Sequence, residues 1–174
     1  MAETQNRLNA AKRAFEFGAI VFLLLGSSHA LGTLVDLFRP FLFTPVDLQV
    51  KQTMMDSTIL ITDRTSLWKA WLGFNLSHGY GVFFFGLITL LLARNNFGYV
   101  IKLRPLFPLT IFMSLSYLLM AVAFWFYIPA LGCALGFGGF AVSFLLARRQ
   151  WLTEGLITQH ATSHEPPPNH PRGA

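Results

Sequence analysis

Two histidines, His29 and His78, stand in runs of sequence otherwise apolar enough to cross a membrane. Hydrocarbon excludes polar side chains unless something compensates them, so intramembrane imidazoles are functional candidates by default. On a helix, His29, Thr33 and Asp36 share one face at i, i+4 and i+7. Trp71, Asn75, His78 and Val82 share another through i+3 and i+4 steps, with Lys69 just before them. Such groups can do three things. They can tie helices together by hydrogen bonds, hold the polar head of a small apolar molecule such as a quinone or lipid, or ligate a metal or haem b through the two imidazoles. A metal needs a third His, Cys or carboxylate at the same depth, which the sequence lacks; haem needs only two axial ligands. The candidate ligand-binding set is therefore His29, Thr33, Asp36, Lys69, Trp71, Asn75 and His78, with His29 and His78 as the haem-ligand alternative.

Other chemistry is poorly served. There is no serine-nucleophile motif, no HExxH, no phosphate-cradling glycine loop and no pair of intramembrane carboxylates. The polar stripe stops about halfway along its segment, which disfavours a channel. His160 and His164 lie at i, i+4, but three prolines follow and argue against a stable metal pair. The sequence thus favours a non-enzymatic membrane protein, an accessory subunit or small-ligand binder. The alternative is a redox component using His29 and His78 around haem or quinone.

The elements that must position these residues follow from composition. Hydrophobic residues make up 53% of the 174 and charged residues 12%, about half the charged share of a soluble domain. Apolar segments run over about 14–38, 68–93, 105–126 and 128–147, each near the ~20 residues that span a bilayer as a helix. Lipid allows no lone strand, because its backbone groups would go unpaired. The expected fold is all-α: an antiparallel four-helix transmembrane bundle over 1–157, with a short extramembrane helix in the first loop. The polar, proline-rich tail 158–174 is expected to be disordered. Cys133 is the only cysteine, so no intramolecular disulfide forms.

Arg7, Lys12 and Arg13 before an apolar run, with Ser28 and Ala30 in small-x-small spacing, imitate a signal peptide. Apolar sequence resumes at once with "LGTLVDLF", and Glu16 is unusual in a signal core, so the segment reads as an uncleaved first helix. The net charge of +5 reflects orientation rather than nucleic-acid binding. Arg7, Lys12, Arg13, Arg94, Lys102, Arg104, Arg148, Arg149 and Arg172 fall on one side; Arg39, Lys51, Arg64 and Lys69 fall on the other. The positive-inside rule then puts both termini in the cytoplasm.

The first loop, about 39–65, holds a helix start in "TPVDLQVKQTMM", with Thr44 as N-cap, Pro45 at the first position and Asp47 in the first turn. Val46, Val50 and Met54 form a face for the membrane surface or the bundle. Setting Asp36 level with Lys69 predicts an ion pair near the interface, with His29 at the depth of Leu76. His29, Asn75 and His78 then cluster, while Gly26, Gly32, Gly79 and Gly81 leave room for close approach or for a ligand. Ser114, Ser116 and Tyr117 are in reach to add hydroxyls. In the last segment, Gly132, Gly136, Gly139, Ser143 and Ala147 form a small-residue stripe suited to close helix packing. Its partner is expected within the chain, with a second copy or another membrane protein as the alternative.

"LLLGSSHALGTL" and "FTPVDLQVKQTMMDSTILITDRTSLWKAWLGFNLSHGYG" resemble a group of small, uncharacterised four-helix bacterial membrane proteins. The shared pattern is GxxHxxxTL in the first helix and WKAWxGFNxSHxxG opening the second. The overall plan is also similar to the DoxX-like proteins, some of which serve quinone-linked membrane complexes. That second likeness is one of plan and implies no residue role.

Overall fold

The computed structural model describes residues 2–103 and 105–163, with side chains described through Arg148. The chain forms α1 (Ala2–Asp36), α2 (Leu48–Asp56), a small antiparallel hairpin of β1 (Thr58–Ile59) and β2 (Thr62–Ser66), then α3 (Leu67–Lys102), α4 (Leu106–Ala123) and α5 (Tyr127–Ser163). Four helices, α1, α3, α4 and α5, are long and apolar enough to cross a membrane. The all-α bundle is thus the architecture. At 18 residues, α4 is ~27 Å long and barely spans. With 35 residues, α1 overshoots, and its N-terminal half carries i, i+4 ion pairs, exposed Arg7–Glu3 and half-buried Lys12–Glu16.

The bundle has a loop end, where α2 and the hairpin sit, and a termini end, where α3 turns into α4. At Asn96 the backbone of α3 leaves helical geometry (φ −157°, ψ 79°). The side chain of Asn96 accepts from Tyr99 N at 2.9 Å and restarts the helix, so α3 runs on to Lys102, past the residue 93 expected as its end. Between α4 and α5, Trp125 takes the left-handed conformation at φ 60°, a position usually given to glycine. Its N–H bonds to Val122 O and that of Phe126 to Ala121 O, satisfying the last carbonyls of α4.

Packing is unequal. Helix α1 packs extensively on α3 and α5, and α5 on α4, whereas α3 touches α4 sparsely. The helices therefore follow the circuit α3–α1–α5–α4, and the α4–α3 seam is the loosest. At the termini end, Phe15 meets Phe97, Phe107 and Phe140 edge-on, with ring centroids 4.9–5.9 Å apart. Small residues let the tight pairs close. A Cβ on Gly26 would strike the backbone at Phe83, one on Gly79 the backbone at Ala30, and one on Gly86 the backbone at Leu23. The stripe on α5 is spent in the same way: Gly139 lies against Ala14 and Gly18, Gly136 against Phe22, and Gly132 against Leu25. Buried Ser143 and Ala147 continue it. Its neighbour is α1 of the same chain, so the stripe is not free for a second copy.

Several expectations change. The N-cap of α2 is Asp47, whose carboxylate accepts from Gln49 N at 2.8 Å; Thr44 is occupied elsewhere, as described below. The face of Val46, Val50 and Met54 is not buried, and α2 as a whole buries no residue. The hairpin was not anticipated. Helix α5 continues to Ser163, beyond residue 158, where a disordered tail was expected. Arg104, His164 and Arg172 lie outside the described residues.

Candidate functional site

The three glycine contacts between α1 and α3 share one antiparallel register, and it sets Asp36 opposite Gly73. Lys69 therefore lies a helical turn, ~6 Å, nearer the loop end than expected. The ion pair between Asp36 and Lys69 is not formed, and Lys69 is exposed. Asp36 is nevertheless buried, at 1% exposure, and a buried carboxylate must be satisfied. The chain does this by turning back on it. Oδ1 accepts from Phe41 N (2.9 Å), Thr44 N (3.2 Å) and Thr44 Oγ1 (2.6 Å). Oδ2 accepts from Leu42 N (3.0 Å) and Phe43 N (2.8 Å). Five donors from one tight segment replace the expected cation, which explains why Thr44 cannot cap α2.

The segment so fastened closes the loop end of the bundle. The Leu42 side chain fills the space left by Gly32. The ring of Phe43 lies 4.6 Å, centroid to centroid, from His29. Trp71 Nε1 donates to Phe43 O at 3.0 Å and latches the segment to α3. Asp36 and Trp71 thus act on the histidines through Phe43, as positioning residues.

Beneath this cover the two imidazoles meet. The rings of His29 and His78 stand edge to face with centroids 5.2 Å apart. Tyr117 of α4 approaches His78 at 5.7 Å, and Phe74 stacks near-parallel to His78 at 6.3 Å. Asn75 is buried beside the His29 ring, with its Nδ2 donating to Trp71 O at 2.9 Å. Nε2 of His29 is buried and has no hydrogen-bond partner among the described residues. An orphaned buried nitrogen costs about 1–3 kcal/mol; Ser143 Oγ on α5 is likewise buried without a hydrogen-bond partner among the described residues. His78 itself is exposed at the α3–α4 seam, and Tyr117 is half-buried there.

Of the seven residues proposed from sequence, the structure brings together His29, Asn75 and His78, with Trp71 and Asp36 in the layer above. Thr33 is buried but turned to its own helix, its hydroxyl donating to His29 O at 2.9 Å. Lys69 stands apart. Ser114 and Ser116 likewise donate to carbonyls of their own helix, leaving Tyr117 as the hydroxyl that reaches the cluster. Phe43 was missed altogether. The signal for it was present in Pro40 and Pro45, which bracket a short segment directly after a buried carboxylate and force a turn there.

This geometry does not suit haem. Axial ligation places two imidazoles on opposite faces of a flat macrocycle. Here the backbone of α3 at Gly79 lies against Ala30, the residue next to His29, so no slab-shaped gap separates the helices. Among the described residues no group of three His, Cys, Asp or Glu side chains could hold a metal ion. What the cluster can offer is imidazole and phenol groups for hydrogen bonding inside a hydrocarbon layer. No protein-family model, no curated protein and no solved structure matches the chain.

Proposed function

We propose that this integral membrane protein is a non-enzymatic small-ligand binder that holds the polar head of an amphiphile at His29, His78 and Tyr117. The observation that carries the reading is the buried, unpartnered Nε2 of His29 at a junction where rings from three helices converge. In hydrocarbon such a nitrogen is costly, and a ligand atom that hydrogen-bonds to it offsets that cost. The head would lie under the Phe43 cover, and its apolar remainder would lie among lipid-like side chains. A quinone has the right division into polar carbonyls and apolar tail, as has a fatty acyl lipid. An accessory role in a larger membrane complex is compatible with this activity.

The protein reads further as a multi-pass component of a bacterial inner membrane, with both termini cytoplasmic and the covering segment on the outer side. Nine of its thirteen Lys and Arg residues fall on the termini side, which supports that orientation. We further propose that the chain belongs with small four-helix membrane proteins carrying the pattern GxxHxxxTL and WKAWxGFNxSHxxG, in which His29 and His78 would be motif positions, and that the proposed role extends to that group.

The test is solvent extraction of the purified protein followed by mass spectrometry of the small molecules released. Wild type should release one amphiphile in near-stoichiometric amount, reduced at least tenfold in the double variant His29→Ala, His78→Ala at equal folded protein. Identical profiles from the two proteins would refute ligand binding at this cluster.

A further inference from the structure

The loop end and the seam of the same site are built in opposite ways. Towards the loop end, every layer is fastened. Asp36 takes five hydrogen bonds from residues 41–44, Leu42 plugs the notch at Gly32, Phe43 covers His29, and Trp71 latches Phe43. Sideways, the cluster is open. Helix α3 packs sparsely on α4, and Phe74, His78, Gly81 and Phe85 follow one another at i+4, i+3 and i+4 along the face that meets Tyr117. Gly81 is exposed, and the only neighbour that a Cβ there would meet is the Tyr117 hydroxyl, at 3.6 Å. Among the described residues, Tyr117 is the side chain that approaches Gly81 across the seam.

Building on the ligand-binding reading, we propose that the α3–α4 seam at Gly81 is a lateral portal. Through it the site takes its ligand from the bilayer, and the ligand is an amphiphile whose head carries a carbonyl or carboxylate oxygen. The head chemistry follows from the groups that await it. The Tyr117 hydroxyl can donate to such an oxygen, and His29 Nε2 donates in one tautomer and accepts in the other, so a carboxyl head, which accepts when ionised and also donates when protonated, is matched in either tautomer. Charge does not enter the choice, since Lys69 is remote from the cluster and Asp36 is engaged by the backbone donors of residues 41–44 and the Thr44 hydroxyl. Glycine at 81 keeps the gap clear, and Met113 and Met120, on the same face of α4 as Tyr117, are flexible enough to yield to a sliding chain.

The experiment uses the full chain in nanodiscs with two photoreactive probes. One is a long-chain fatty acid bearing a diazirine near its carboxylate, which partitions into the bilayer. The other is a four-carbon diazirine carboxylic acid, which stays in water. After irradiation, labelled peptides are mapped by mass spectrometry. The long-chain probe should label the peptides containing His78 and Tyr117 saturably, whereas the short acid labels neither. Gly81→Phe should lower the long-chain labelling at least tenfold, and Gly81→Ala, which the 3.6 Å clearance tolerates, by no more than about twofold. In Trp71→Phe, which loses the latch, the short acid should gain access while long-chain labelling persists. Full labelling in well-folded Gly81→Phe, or labelling of the wild-type site by the short acid, would overturn the portal but leave the binding site standing. Absence of saturable labelling at His78 and Tyr117 with either probe would overturn both.

Discussion

Asp36 shows how a single residue's chemistry is legible while its partner is not. A carboxylate at the end of a polar intramembrane stripe must be satisfied, and that much follows from its position. The sequence offered Lys69 as the nearest cation, but four of the five actual donors are backbone N–H groups of residues 41–44, which carry no signature in residue type; only the Thr44 hydroxyl does. Five bonds to one carboxylate make Asp36→Ala the costliest change at the loop end. Its loss should destabilise the bundle by roughly 2–4 kcal/mol, because hydrogen bonds to charged groups exceed neutral ones and five are lost together. Asp36→Asn should behave similarly, since its amide N–H groups would face donors. Asp47→Ala removes only the N-cap of α2, worth about 1 kcal/mol to that helix, and α2 buries nothing. Thermal unfolding of the three variants in detergent checks this order; an equal loss from Asp36→Ala and Asp47→Ala would show that Asp36 is solvated and the segment unfastened.

Among the elements, periodicity revealed that α1 and α3 each present a polar face, and hydropathy placed the ends that flank the first loop within two residues, while α1 begins and α3 ends well outside the apolar stretches. Their relative register was not readable from the charged residues, because it is fixed by glycines. Gly26, Gly79 and Gly86 meet opposing backbone directly, and backbone cannot rotate away as a lysine side chain can. That one-turn shift separates Asp36 from Lys69 yet still leaves His29 and His78 in ring contact. The hairpin of β1 and β2 escaped notice because its strands are only 2 and 5 residues long and lack clear alternation. Gly26→Ala and Gly86→Ala should each cost about 1–3 kcal/mol through overpacking. Gly73→Ala has open space around its Cβ and should cost nothing, or gain up to ~1 kcal/mol from helix propensity. Should all three substitutions prove neutral by thermal unfolding, the register of α1 against α3 is different from the one described.

For the molecule as a whole, fold class was legible because a bilayer leaves so few solutions, whereas function was not, since the site depends on how three helices and one folded-back segment meet. Orientation can be checked independently. In a Cys133→Ala background, Gln49→Cys should react with an impermeant maleimide from outside intact cells and Asn95→Cys only after the membrane is opened. The reverse pattern would invert the proposed topology. The central claim, that His29 Nε2 awaits a ligand at membrane depth, is tested most directly by the nitrogen itself. Solid-state NMR of 15N-histidine-labelled protein in native membranes, with His29 assigned by comparison with His29→Gln, reports whether Nε2 is hydrogen-bonded. The account predicts a hydrogen-bonded shift in membranes, its loss on delipidation and its return when the extract is added back. A His29 Nε2 resonance unchanged through all three states would contradict it.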